Sequence, residues 1–570
     1  MKVFLIEAVL SAVFLVTMSV GSSEPLVDLP AGTVRGTVVD VAGTQVNAYL
    51  GIPYAKPPVG ELRFKPPVPP DPWEGVYNAT KFSNRCYQLL QKNQEDTRSE
   101  DCLYLNVWQR RSGPPGDAVM VWIHGGGFRG GAGSMRSVSR LVTRENIILV
   151  SMNYRVGALG FLALGTDDAP GNMGLLDQKL ALQWVQENIE RFGGNPDRVT
   201  IFGSSAGGAS VGLQLLSPSN NGLFRRVILQ SGAAFCAWAL TPNDVAAARG
   251  RTLAESLGCW KPKASDTVRC LRDVTASDIV DRQSATDGFL RPSFTPVVYG
   301  KFLPNTPDVA SADPPFTTVD MIAGYNTNEG MSFLLNQSWV PGFSLATEGL
   351  ITKEEYIRGI QSLIPELNEF GVDAVAFHYM DWAHISAPET YRDAMESLTS
   401  DFSFKCPVVQ TVDAHARSGG ARTYLYQFDH RKSTSSLPPW TGVLHSALSP
   451  FVSGSALDPE SGFTAEEHEL ARRVMRFWAN FARTGDPNDP GNDLWPVYNQ
   501  TDQSYIVLDT QPVRVAQWPR ARPCAFWREY LWPLEDQTDE LMEATVSGGA
   551  SNVASGLILV LMWTFVVLVV

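Results

Sequence analysis

The 570-residue sequence has no excess of positive charge: 46 Lys and Arg stand against 59 Asp and Glu, a formal net charge of −13. Nucleic acids and anionic lipid surfaces are held by clustered cations, so neither is expected as a partner. Charged residues are scarce at 18%, against 44% hydrophobic, which excludes an intrinsically disordered chain. No internal repeat or low-complexity tract is present, which removes solenoids and arrays. What is there, including 48 Gly and 38 Pro, suits one large core threaded by tight turns, a single domain with processed ends.

Cysteine is also scarce, and odd in number at seven. In an oxidising compartment an odd count leaves a free thiol or an intermolecular bond. Proximity suggests the short loops Cys86–Cys102 and Cys259–Cys270, which close at low entropic cost. The Asn-x-Ser/Thr sites at Asn78, Asn336 and Asn499 fit glycosylation in the secretory pathway.

Both ends fit that route. Residues 1–23 carry Lys2, an apolar run and then small residues, the form of a secretory signal peptide. From Ser547 onward, small residues and a short spacer lead to an apolar tail over residues 557–570 with no basic residue after it. That pattern reads as a signal for replacement by a glycosylphosphatidylinositol lipid. The expected domain is then residues 24–546, with residues 547–570 removed and the protein outside the cell, secreted or held on the plasma membrane by its lipid.

Between the ends, Val119-Met120-Val121-Trp122-Ile123, Ile147-Ile148-Leu149-Val150, Val199-Thr200-Ile201-Phe202 and Val227-Ile228-Leu229 are short apolar runs separated by helical stretches. Strands this apolar are buried on both faces, as in a mostly parallel sheet flanked by helices, so the fold class is α/β with one large mixed sheet. Residues 177–191 have near-helical spacing and stop at Gly193-Gly194. Thr464-Ala465-Glu466-Glu467 has the capping-box pattern and opens another long helix.

Gly203-Ser204-Ser205-Ala206-Gly207 fits G-x-S-x-G directly after a strand and before a helical stretch, the setting of a nucleophile elbow. The sharp turn strains the serine backbone, and glycines two residues either side let it close. A second match, Gly208-Ala209-Ser210-Val211-Gly212, has no strand before it and reads as helix interior. His124-Gly125-Gly126-Gly127-Phe128 follows the strand ending at Ile123. Residues without side chains let backbone N–H groups approach a developing oxyanion, and losing one such donor costs on the order of 3 kcal/mol.

This fold orders its site as serine, acid, histidine. Glu329, in Tyr325-Asn326-Thr327-Asn328-Glu329-Gly330, is a candidate acid, although by composition the segment reads as an Asn-rich turn with one exposed Glu. His378, His384, His415, His430, His445 and His468 are all open as the base. His468 falls in a helix and reads as solvent-facing, and spacing does not choose between His430 and His445. No metal or cofactor is called for.

Phe202-Gly203-Ser204-Ser205-Ala206-Gly207-Gly208, Glu100-Asp101-Cys102-Leu103-Tyr104-Leu105-Asn106 and Gly51-Ile52-Pro53-Tyr54-Ala55 together resemble the type-B carboxylesterase and cholinesterase family. That resemblance implies the α/β-hydrolase fold and carboxylic ester hydrolysis by Ser205, Glu329 and His445 through an acyl-enzyme. It implies Gly126, Gly127 and Ala206 as oxyanion donors. It also implies the pairs Cys86–Cys102, Cys259–Cys270 and Cys406–Cys524, leaving Cys236 a buried free thiol, so a homodimer, if formed, needs no cysteine.

The chain departs from cholinesterases where a choline group would sit. Its Cys86–Cys102 loop contains no tryptophan, and an aromatic face is the main holder of a quaternary ammonium. Ser332 stands three residues after Glu329, although Phe333 remains. Ser204 and Leu448 occupy two positions that are acidic in cholinesterases. Leu290 and Pro292 replace bulky aromatics in the acyl pocket, which Trp238 is expected to line. Small uncharged esters with acyl groups larger than acetyl are therefore the expected substrates. The competing expectations are an acylcholine hydrolase and a cell-surface adhesion protein on the same fold.

Overall fold

The structure, a computed structural model, describes residues 24–90, 95–112, 117–134, 139–336, 339–491 and 494–547. The expected leader at residues 1–23 lies outside these, as does the expected lipid-attachment signal beyond Ser547. Among the described residues no helix is long and apolar enough to cross a membrane.

An eleven-stranded sheet organises the chain. In chain order its strands are β1 (Thr37–Val41), β2 (Thr44–Pro53), β3 (Tyr104–Arg110), β4 (Asp117–Ile123), β5 (Ile148–Met152), β6 (Gly194–Ser204), β7 (Arg226–Gln230), β8 (Asp320–Asn326), β9 (Thr423–Phe428), β10 (Tyr505–Leu508) and β11 (Arg514–Ala516). In space they run β11-β10-β9-β8-β7-β6-β4-β5-β3-β2-β1. From β5 through β10 every neighbouring pair is parallel, while β3, β2, β1 and β11 join antiparallel at the two edges. All four apolar runs read from the sequence lie in this sheet, as β4, β5, β6 and β7.

Alternation along the strands explains why both faces are apolar. Val119, Val121 and Ile123 of β4 enter one core, and Ala118 and Met120 enter another. Helix α1 (Met173–Asn188) starts earlier than expected, because Gly174 and Leu175 are buried in its first turn. It runs into a short 3₁₀ turn and is stopped at Gly193, whose φ of +79° suits a residue without Cβ. Helix α2 (Ala206–Leu216) follows the serine and is buried throughout. Helix α3 (Ala465–Thr484) opens on the expected capping box: Thr464 accepts from the N–H of Glu467, and Glu467 accepts from that of Thr464.

Three disulfides, Cys86–Cys102, Cys259–Cys270 and Cys406–Cys524, have Cα separations of 4.9, 5.3 and 5.1 Å. Cys236 is free and buried, and burial pushes its thiol up to about 12. It is therefore a packed side chain rather than a reactive one.

Candidate active site

Strand β6 ends at Ser204 and α2 begins at Ala206, so Ser205 is the single residue at the bend. Its φ of 61° and ψ of −127° are strained for a residue with a Cβ. The bend is held by its surroundings: the Ser205 N–H donates to Gln230 at 2.8 Å. A Cβ on Gly207 would come 2.2 Å from the Ile123 carbonyl oxygen, and one on Gly203 would come 2.5 Å from the Gly207 backbone. Both expected glycines are thus sterically required. So is one that the motif did not announce, Gly232, where a Cβ would meet the Ser205 carbonyl at 2.2 Å. Ser210 is buried inside α2 and accepts from Gln178, as expected of helix interior.

The loop after β4 lies against this bend. Gly126 and Gly127 have φ of +118° and +62° and face the same cavity as Ser205. The Gly126 carbonyl turns away to accept from the N–H groups of Arg129 and Gly130. Among the described residues the N–H groups of Gly126 and Gly127 have no acceptor, and Ala206 N–H is one of the unpaired donors at the start of α2. His124 anchors the loop from below. Its ring stacks on Tyr154 at 4.1 Å and its Nδ1 donates to Gly125. Burial pushes this imidazole down to about 4, so it remains neutral at ordinary pH.

Glu329 follows β8 and is fully buried, not exposed as its Asn-rich segment suggested. Its Oε1 accepts from the Asn326 N–H at 2.6 Å, and its Oε2 lies 2.5 Å from His445 Nδ1. The neighbouring asparagine makes this junction. Asn328 N–H donates to Val443, and the Val443 N–H donates to Asn328 Oδ1, each at 2.9 Å, so the glutamate turn is stitched to the histidine loop. On the other side Gly330 N–H donates to Ser400, whose hydroxyl donates to buried Glu396.

The structure separates the histidines that spacing left open. His445 faces Glu329, whereas His430 pairs with Glu467 at 2.8 Å. His415 bonds Thr423 and Val319, His378 stacks on Phe526, and His384 pairs with exposed Asp381. His468 is half-buried rather than solvent-facing, because its helix packs closely on the sheet. His445 Nε2 is buried without a hydrogen-bond partner, so no Ser205–His445 bond is closed. Such bonds are commonly long until substrate is present.

Ser205 and His445 line one cavity of about 480 Å³. Trp238, Leu290, Pro292 and Phe333, all expected, line it too. Trp238 serves both as core and as wall, since its Nε1 donates to Ser403 at 2.8 Å while its ring packs on Phe404. Sequence reasoning missed Phe404, which lies 4.8 Å from the His445 ring and stacks on Phe333. It also missed Trp122 and the cations Arg129 and Arg291. Only the position of Arg129, two residues beyond the glycine run, was available as a signal. Ser204 lines the cavity as a neutral residue and Leu448 is core.

Residues 23–527 match the Carboxylesterase family. The acetylcholinesterase of Bungarus fasciatus is 41% identical over 542 residues, covering 92% of this chain and 89% of the relative. The acetylcholinesterase of Danio rerio is 41% identical over 564 residues, covering 90% and 89%. The chain therefore belongs to the carboxylesterase family, as a cholinesterase-like serine carboxylic ester hydrolase on the α/β-hydrolase fold.

Proposed function

We propose that Ser205 attacks the carbonyl carbon of a small ester while His445 Nε2 takes its proton, and that Glu329 holds the imidazole in the tautomer with Nδ1–H. The tetrahedral oxyanion is received by the N–H groups of Gly126, Gly127 and Ala206, helped by the positive end of α2. His445 then returns the proton to the departing alcohol, and water repeats the sequence on the acyl-enzyme. The observation that carries this reading is the 2.5 Å contact between Glu329 and His445 at the wall of the cavity that also holds Ser205. Ser205→Ala is expected to abolish hydrolysis of short nitrophenyl esters and covalent labelling by an organophosphate; turnover retained by that variant would remove Ser205 from the mechanism.

Uncharged esters are preferred over acylcholines in this reading. Its support is the cavity itself, which among the described residues is lined by no Asp or Glu and includes the neutral Ser204. The alternative, acylcholine hydrolysis, draws on the 41% identity to two acetylcholinesterases. Acylcholines compared with isosteric uncharged esters separate the two, since a marked preference for the choline series would reverse the ranking. An adhesion role on the same fold predicts no organophosphate labelling.

The mature protein is read as residues 24–546, exported by its leader and held at the cell surface by a C-terminal lipid. Asn78, Asn336 and Asn499 are all exposed, as glycan acceptors must be.

A further inference from the structure

The turn that presents Glu329 is clamped on both flanks. Gly330 sits against the end of the helix Thr390–Ser400, where an added Cβ would come 2.7 Å from Thr399 Cβ and 2.9 Å from the Ser400 nitrogen. Its N–H donates to Ser400 Oγ at 2.8 Å. On the other flank Asn328 is bonded to Val443 in both directions, and a Cβ on Gly442 would collide with Asn328 Oδ1. The backbone of Glu329 is thereby fixed by its two neighbours, and they set where its carboxyl group lies.

Both flanks lead to one buried group. Glu396 lies one helical turn before Ser400 and so on the same face of that helix, and the Ser400 hydroxyl donates to its Oε1 at 2.5 Å. The side-chain amide of Asn328 acts on the same carboxyl and favours its charged form. Glu396 is 5% exposed and Ser400 fully buried. Burial pushes the Glu396 carboxyl up, against Lys405, the Ser400 hydroxyl and the Asn328 amide, while Asp401 adds to the rise. Asp401 is itself engaged by Arg520 at 2.8 Å. A buried carboxyl is costly unless donors satisfy it, so Ser400 and Asn328 are held to it firmly. None of the three lines the cavity of Ser205 and His445.

We propose that Glu396 is a positioning residue for the acid and base: through Ser400 and Asn328 it braces the turn 328–330 and so keeps Glu329 on His445 Nδ1. This proposal rests on Ser205, His445 and Glu329 acting as described above. Glu396 touches neither substrate nor the reacting atoms, so its effect passes through the 2.5 Å contact of Glu329 with His445. A shift of about 1 Å in such a group costs on the order of 10²-fold. The loss falls on kcat, because acylation and deacylation both use the pair, and KM is spared, because the cavity wall is unchanged.

Two substitutions test this in the full-length protein: Glu396→Gln, which keeps the shape and leaves one of the two donors without an acceptor, and Ser400→Ala, which keeps the charge and cuts one arm of the brace. Butyryl nitrophenyl ester is the substrate, and rates are taken per site titrated by an organophosphate, which counts folded protein only. In both variants kcat is expected to fall by about 10- to 10²-fold with KM within about twofold of native. The far-downfield proton resonance of His445 Nδ1–H, read without substrate, is expected to move upfield or vanish. The double variant should be no worse than Glu396→Gln alone, since the two act as one unit. If Glu396→Gln does not fold, Ser400→Ala decides. Native kcat per site, or a fall in kcat with the resonance unmoved, would overturn the proposal. Hydrolysis retained in Ser205→Ala would instead fail the proposed mechanism, so the two failures are distinct.

Discussion

At the scale of the residue, burial and partners turn ordinary side chains into a site. Glu329 is a carboxyl group that no solvent reaches, accepting from Asn326 on one oxygen and facing His445 with the other. His430 has an equally close carboxylate in Glu467, yet that pair lies at the start of α3 and outside the cavity lining. Replacement at the two pairs should therefore differ in kind. Glu329→Gln keeps the shape of the acid and removes the charge that favours an imidazolium, so kcat is expected to fall by about 10³- to 10⁴-fold with the fold retained. His430→Gln is expected to lower the melting temperature and leave kcat of the folded protein unchanged. Stopped-time ester assays paired with thermal melts check both, and a Glu329→Gln protein within tenfold of native kcat would argue against its orienting role.

At the scale of the element, the bend between β6 and α2 is the unit on which the proposed mechanism turns. Its strain is borne by close backbone approach: β4 presses on Gly207 through the Ile123 carbonyl, and the segment after β7 presses on Ser205 through Gly232. Gly207→Ala puts a methyl 2.2 Å from that carbonyl oxygen, so the strands must part or the bend must open. A displacement of about 1 Å at a reacting group costs on the order of 10²-fold, and kcat of the variant is expected to drop by about that factor with far-ultraviolet dichroism unchanged. Native kcat in Gly207→Ala would show that the bend tolerates opening. This element was legible beforehand, because strand, glycines and helix are contiguous and their steric rule acts over five residues. The capping box at Thr464 was legible for the same reason. Phe404 was not, since nothing in a run of helical residues marks the ring that meets a histidine from another loop.

At the scale of the whole molecule, histidine burial sets a pH limit on stability. Burial holds the imidazoles of His124, His378 and His415 down to about 4 against an ordinary 6.5. Between those values an unfolded chain binds protons that the folded one refuses, so their contribution is complete above about 6.5 and is lost as pH falls toward 4. Glu467 continues the trend at lower pH. Burial alone would raise its carboxyl, but donors from Ser433, Thr464 and His430 outweigh that and hold it at about 2. Its contribution is thus lost as pH falls from about 4.5 to 2. The melting temperature is expected to decline steadily from about pH 6.5 to pH 4 and then more steeply; a flat profile down to pH 4 would mean these histidines take up protons in the folded state.

The sequence by itself determined four of the eleven sheet strands, the serine bend, the glycine loop and two of the three disulfide loops, because apolar runs, turn sterics and short-loop closure all act between near neighbours. It left the acid and the base undecided from spacing alone, and its composition placed Glu329 on the surface. Only the tertiary structure shows that Glu329 is buried and that it meets His445. Glu329 and His445 are 116 residues apart, and Arg129 and Asp287 are 158 apart. Such pairs meet because parallel strands deliver their following loops to one edge of the sheet, and that order of strands in space is written in no local stretch of the chain.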